Sequence, residues 1–178
     1  MTMPMILSVV GKKGSGKSPV IENVIAHLKQ RGYRIGLIKH LSRPGIEIEL
    51  PEKDTSRYRK CGAETVILSG QKERAIFSDV EEETPLEKLL LFFEGYDLVL
   101  LEGYFLESVM KIEVHRAELG EPLTRNMKNV LAILSDAAAD QTEALVSSIE
   151  DWLMSFRTPA GSERSFLKSE ISPPAASK

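Results

Sequence analysis

The sequence predicts an α/β fold in which helices cover both faces of a mostly parallel sheet. Three observations lead there. Apolar, strand-like runs alternate along the chain with segments of helical periodicity. One run, Leu98 to Leu101, is apolar at every position, as suits a parallel strand buried from both sides. A glycine-rich stretch, Gly11 to Ser18, joins the first strand to the first helix.

In chain order, Met5 to Val10 is a short Ile- and Val-containing run closed by glycine, and reads as a buried strand. Val20, Ile21, Val24, Ile25 and Leu28 then recur at helical spacing, with Gly32 as the stop. Arg34 to Lys39 is the second strand. Leu41 to Lys53, with Pro44, Gly45 and Pro51, reads as a long loop, within which Ile46 to Leu50 could be extended. Asp54 to Cys61 is expected as a short basic helix with Asp54 as its N-cap and Gly62 as its stop, and Thr65 to Leu68 as a strand. Arg74 to Phe77 is a short strand, and the acidic Asp79 to Glu83 a solvated turn. After Thr84 and Pro85, Leu86, Leu89, Leu90 and Phe93 define one helix face. Met110 to Val114 and Val130 to Leu134 are further strands, and Leu145, Ile149, Trp152, Leu153 and Phe156 mark a final amphipathic helix. Such alternation implies three layers joined by right-handed crossovers.

A length of 178 residues fits one domain. Three of the nine prolines fall in the last 20 residues, which lack apolar periodicity, so residues 1–157 are expected as the domain and 158–178 as a flexible tail. Lys and Arg number 23 against 26 Asp and Glu, a balance that argues against a nucleic-acid binder working by bulk charge. The single cysteine, Cys61, reads as a packing residue, and with His27, His40 and His115 scattered there is no zinc-ligand spacing. No apolar run approaches the roughly 18 residues of a membrane span, and Met1 to Met5 carries no basic region, so a reducing, cytoplasmic setting is expected.

Gly11, Lys12, Lys13, Gly14, Ser15, Gly16, Lys17 and Ser18 match G-x-x-x-x-G-K-[ST], the Walker A phosphate loop, between a strand and a helix as that loop requires. The expected architecture is therefore a three-layer P-loop NTPase fold. Its glycines let successive N–H groups point at phosphate oxygens, and the following helix presents its positive end to the same anion. Lys17 should reach the β- and γ-phosphates while the Ser18 hydroxyl ligates Mg²⁺. Pro19 in the first helical turn forfeits no helical hydrogen bond.

A second acidic group for the metal usually ends a neighbouring apolar strand. Glu102 would lie at the C-terminal edge of the sheet, where ligands bind, whereas Asp97 would lie about 16 Å away at the other end. Glu102 is the choice, and with Lys17 it is expected to carry any hydrolysis.

Ordered segments beyond the loop resemble the molybdopterin-guanine dinucleotide biosynthesis adaptor protein B family. They are Arg31-Gly32-Tyr33-Arg34 leading to Ile38-Lys39-His40, Lys53-Asp54-Thr55 with Arg57 and Gly62-Ala63, Asp97 through Glu102-Gly103-Tyr104, and Lys111-Ile112-Glu113-Val114-His115-Arg116. The resemblance covers roughly residues 5–136. It implies a homodimeric GTP-binding protein with Mg²⁺, at most a slow GTPase, that assists the guanylyltransferase joining GMP to molybdopterin. It also implies that Lys39, His40, Asp54 and Arg57 line the site beside the triphosphate, with Glu113 and Arg116 as further candidates. Glu47 and Glu49 stand where family members often carry aspartates, and Glu49 joins Ser18 and Glu102 as a metal-facing candidate. Leu41, Ser42, Arg43 and Pro44 replace the family's further histidines and aspartate.

Several of these residues keep a plainer reading. Asp136 could accept from guanine N1 and N2 or cap a helix, and no Asn-Lys-x-Asp motif is present. His40 is either a hydrogen-bonded structural group or a site residue. Lys12, Arg57, Arg59 and Lys60 make an anion patch for phosphates or a pterin phosphate, or a solvated face. A small-molecule kinase would share the loop but need an arginine-rich lid, which is not evident. A dimeric regulatory ATPase would use Lys12 as a signature lysine, but Lys13 replaces that pattern's second loop glycine.

Overall fold

Apolar runs flanked by glycine or by charged residues form strands, and the segments of helical spacing between them form helices. In chain order these are β1 (Met5–Val10), α1 (Lys17–Gln30), β2 (Ile35–Lys39), α2 (Lys53–Lys60), β3 (Thr65–Ser69), β4 (Arg74–Ser78), α3 (Leu86–Leu90), β5 (Leu98–Glu102), β6 (Met110–His115), β7 (Val130–Ser135) and α4 (Thr142–Phe156). The computed structural model describes residues 3–41, 53–106, 108–135 and 141–156. Most of the expected Leu41 to Lys53 loop and the expected 158–178 tail lie outside the described residues. The chain forms two compact units, one of residues up to His40 and from Phe93 onward, the other of Leu41–Phe92.

The first unit is a five-stranded sheet of order β2-β5-β1-β6-β7. Every pairing in it is parallel. The chain leaves β1 for β2 and β5 on one side, then crosses to β6 and β7 on the other, so β1 lies at the reversal where α/β sheets open a crevice at their carboxyl ends. Alternate residues of the central strands, Leu7 and Val9, Leu98 and Leu100, Ile112 and Val114, pack against Val20, Ile21, Val24 and Leu28 of α1 and Leu145, Val146, Ile149 and Leu153 of α4. β5 is buried through Leu98, Val99, Leu100 and Leu101, as its unbroken apolar run predicts. Gly32, at φ +89°, ends α1 in the left-handed region, and the Tyr33 N–H returns to the Leu28 carbonyl at 3.1 Å. Arg31 ties this end of α1 to α4 through Glu143 and Glu150.

The expected helix face from Leu86 to Phe93 is shorter than its periodicity implies. The α-helix stops at Leu90, and Leu91–Phe93 tighten into a 3₁₀ turn. Phe93 leaves that face and lays its ring on Gly36 of β2, where a β-carbon would come within 2.2 Å of the ring. Glycine is needed there for close approach, not for its backbone angle.

In the second unit β3 and β4 form their own antiparallel sheet, with Ile67 opposite Ile76. They are not part of the parallel layer. Residues 70–73, closed by the Gly70 N–H on the Glu73 carbonyl at 2.9 Å, are too few for a parallel crossover. Asp54 does not cap α2, because the helix already includes Lys53; it sits in the first turn and pairs with Arg57 at 2.9 Å.

Candidate nucleotide site

β1 ends at Val10, and the chain bends at once. Gly11 adopts φ +151°, and a β-carbon there would stand 2.3 Å from the Val114 carbonyl oxygen of β6 and 2.6 Å from Ser15 Oγ. No other residue fits that position. Gly14 and Gly16, at φ +81° and +93°, complete the curl, and the Ser15 N–H returns to the Lys12 carbonyl at 3.1 Å.

α1 then starts at Lys17 without a side-chain cap and without an acidic residue in its first turn. The partial positive charge of the helix end is left facing the loop. Ser15, only 1% exposed, has a hydroxyl with no hydrogen-bond partner among the described residues. A buried hydroxyl beside an uncapped helix end is chemistry suited to an anion.

Lys17 turns its ammonium back on the loop, donating to the carbonyls of Gly11 at 2.8 Å and Lys12 at 3.0 Å. Burial pushes its pKa below the ordinary lysine value, the Glu102 carboxylate opposes that, and the nearby Lys39 cation adds to the lowering. Lys12 donates its ammonium to the Leu119 carbonyl. Lys13 and Ser18 are exposed at the rim.

Glu102 closes β5 at the edge where the loop lies. In register it is flanked by Val9 of β1 and Lys39 of β2. Its carboxylate pairs with Lys39 Nζ at 3.1 Å. Asp97 sits at the opposite end of the strand and accepts the Arg34 N–H at 2.8 Å, as strand geometry predicts. The His40 N–H donates to the Glu102 carbonyl at 2.8 Å, and the His40 ring stands 5.3 Å from that of Tyr104. Lys17, Glu102, Lys39 and His40 thus gather at one sheet edge. Asp54 and Arg57 lie in the second unit, paired with each other. Asp136, Glu47 and Glu49 lie outside the described residues.

On the far side of β1, Glu113 is 1% exposed and accepts from the Leu123 N–H (2.7 Å), the Thr124 N–H (2.8 Å) and the Thr124 hydroxyl (2.7 Å). Burial pushes its pKa up, but these hydrogen bonds, helped by His115, outweigh burial and hold it below the ordinary glutamate value. Sequence reasoning missed two groups. Ser8, fully buried, donates to the Tyr104 carbonyl and pins the segment after Glu102; a serine inside an apolar strand was its signal. The Leu119 carbonyl that holds Lys12 had none, since every residue type carries the same carbonyl.

Among the described residues no three His, Cys, Asp or Glu side chains cluster to hold a metal. Ser18 and Glu102 nevertheless offer hard oxygen donors at the loop. A hydroxyl and a carboxylate are donors of the kind a hard divalent cation such as Mg²⁺ would take.

A Walker A loop bent between the central strand and first helix of a parallel sheet defines a P-loop type of α/β protein. The chain belongs to the MobB family: the family model described as molybdopterin guanine dinucleotide synthesis protein B matches residues 6–136. It is 31% identical over 162 residues to the molybdopterin-guanine dinucleotide biosynthesis adapter protein of Haemophilus influenzae, covering 85% of this chain and 90% of that one. To the protein of that name in Escherichia coli it is 31% identical over 152 residues, covering 82% and 86%. In fold it is similar to the crystal structure of Bacillus subtilis MobB, with TM-score 0.64 and 22% identity over 82% of this chain and 96% of that one.

Proposed function

We propose that this protein is a GTP-binding adaptor of molybdenum cofactor biosynthesis, acting as a homodimer that assists a guanylyltransferase in attaching GMP to molybdopterin. Family membership supports the pathway, and the uncapped loop around buried Ser15 supports the nucleotide.

In this reading the amides of the curl and the first turn of α1 hold the phosphates, replacing the missing cap of the helix. Lys17 releases the Gly11 and Lys12 carbonyls and turns its charge toward the β- and γ-phosphates. That exchange swaps two neutral acceptors for an anion, which also favours the charged form of a lysine whose burial disfavours it. Ser18 and Glu102 would hold Mg²⁺, which when bound neutralises charge between phosphate oxygens. Lys39 holds the Glu102 carboxylate in an ion pair at the sheet edge. Among the described residues no glutamine that would orient an attacking water lies at the loop, and Arg116 stands on the flank opposite Glu102, so hydrolysis is slow and the GTP-bound form is long-lived. That persistence suits an adaptor.

Calorimetric titration with GTP and ATP, each with Mg²⁺, on the wild type and Lys17→Ala tests this. GTP should bind the wild type in preference to ATP, and Lys17→Ala should bind neither. Preference for ATP would sink the adaptor reading; no binding by the wild type would sink the site.

A further inference from the structure

The flank of the loop opposite Glu102 carries a cation that the family resemblance offers only as a candidate, with no stated task. Arg116 directly follows β6, and a β-carbon on Gly16 would stand 3.9 Å from its Nη2. The guanidinium therefore lies against the residue that precedes the first turn of α1. Because β1 has β5 on one side and β6 on the other, Arg116 and Glu102 approach the loop from opposite sides.

We propose that Arg116 is a phosphate-binding residue, supplied from the same chain by the β6–β7 connection. This rests on the nucleotide reading given above. Three observations carry it. The guanidinium is about half exposed, and its carboxylate neighbour Glu118 is 3.4 Å away, well beyond the roughly 2.8 Å of a strong charge-assisted bond. An incoming phosphate can displace a contact that loose. Next, the connection is tied down at two points: Lys12 of the loop grips the Leu119 carbonyl, and Glu113 holds Leu123 and Thr124. Arg116 thus sits on a short anchored span whose ordering has been met by folding, not by ligand binding. Lastly, a planar guanidinium beside the open amides of a helix end supplies the fork that a phosphate takes in two bonds.

The side of approach assigns the phosphate. Glu102, the metal carboxylate, takes the flank of the terminal phosphates. Arg116 takes the opposite flank, toward phosphates that a nucleoside diphosphate also carries. GDP and GTP should therefore feel its loss alike.

Titrating GTP and GDP, with Mg²⁺, into the wild type, Arg116→Ala, Arg116→Lys, Glu118→Gln and Lys17→Ala tests the assignment. Arg116→Ala should weaken both nucleotides by roughly 10- to 100-fold. Arg116→Lys should recover part of that loss, because charge is restored without the fork. Glu118→Gln should bind at least as tightly as the wild type, having lost the competing carboxylate. Thermal unfolding of ligand-free Arg116→Ala should match the wild type; were it unfolded, Arg116→Lys carries the test by an affinity between wild type and none. Unchanged affinities in Arg116→Ala, or a loss confined to GTP, overturn the proposal while Lys17→Ala still shows the site to be real. If the wild type binds neither nucleotide, the underlying reading fails instead.

Discussion

Lys39 and Glu102 stand directly opposite each other in the register of β2 and β5, with Nζ 3.1 Å from Oε2. Glu102 therefore has one cation in ion-pair contact, and its charge is also felt by the loop lysine, Lys17. Replacing it with glutamine keeps its shape and removes its charge. Glu102→Gln should weaken GTP binding at least roughly tenfold when Mg²⁺ is present. With EDTA in place of Mg²⁺ it should bind at least as well as the wild type, since the metal contact is then absent from both and losing the carboxylate leaves the Lys39 cation without its counter-charge. Equal losses under both conditions, read by calorimetry, would assign Glu102 a structural task.

Lys17 pays for its position in stability. Burial lowers its pKa from the ordinary 10.5, so the folded, ligand-free protein bears a charging penalty. That penalty is complete below the lowered pKa and vanishes as pH rises past the ordinary value. Unfolding temperatures of the wild type and Lys17→Met, compared between pH 7 and about 10.5, should shift in favour of the wild type as pH rises. A difference that does not change with pH would contradict it.

Glu113 has the reverse sign. Its folded pKa lies below the usual 4.5, so its contribution is present above that value and lost as pH falls through the lowered one. Glu113→Gln would turn an amide against backbone donors that now meet a carboxylate. It should destabilise the fold by about 1–3 kcal/mol at pH 7, and the gap should close below about pH 4.5. Urea unfolding at several pH values measures both.

Gly36 and Phe93 form a packing pair in which one side chain occupies the space the other lacks. Gly36→Ala should cost about 1–3 kcal/mol by overpacking. In Gly36→Ala with Phe93→Ala, the new methyl enters space the ring has left, so the double variant should be more stable than the sum of the single losses. Strict additivity in urea unfolding would mean that the ring does not press on β2.

What the sequence revealed follows the range of the forces involved. β1 and β5 were legible because a short apolar run between glycines or charges has few other uses, and Glu102 because rise per residue fixes which end of a strand it occupies. The loop was legible because its curl admits glycine alone at Gly11. The separate β3–β4 hairpin was hidden by alternation, although the four residues 70–73 between its strands already forbade a crossover. Asp54 was read as a cap from its residue type, but a helix boundary displaced by a single residue turns a cap into an ion-pair partner. Lys39 with Glu102, and Lys12 with Leu119, join residues distant in sequence through strand order and a backbone carbonyl. Neither leaves a local pattern.

Val9 and Val10 are consecutive residues of β1, yet Val9 is registered against Glu102 of β5 and Val10 against Glu113 of β6. Neighbouring positions on a strand face opposite sides of the sheet. Two glutamates of identical chemistry are thereby sorted: one pairs with Lys39 at the edge where the loop lies, the other is buried as a brace. A slip of one residue in either ladder would reverse the facing of that partner strand, moving a charge into the core or withdrawing one from the site. Strand alignment therefore binds site and core together, because the slip that misplaces a glutamate also turns the buried leucines and valines of that strand away from their helices.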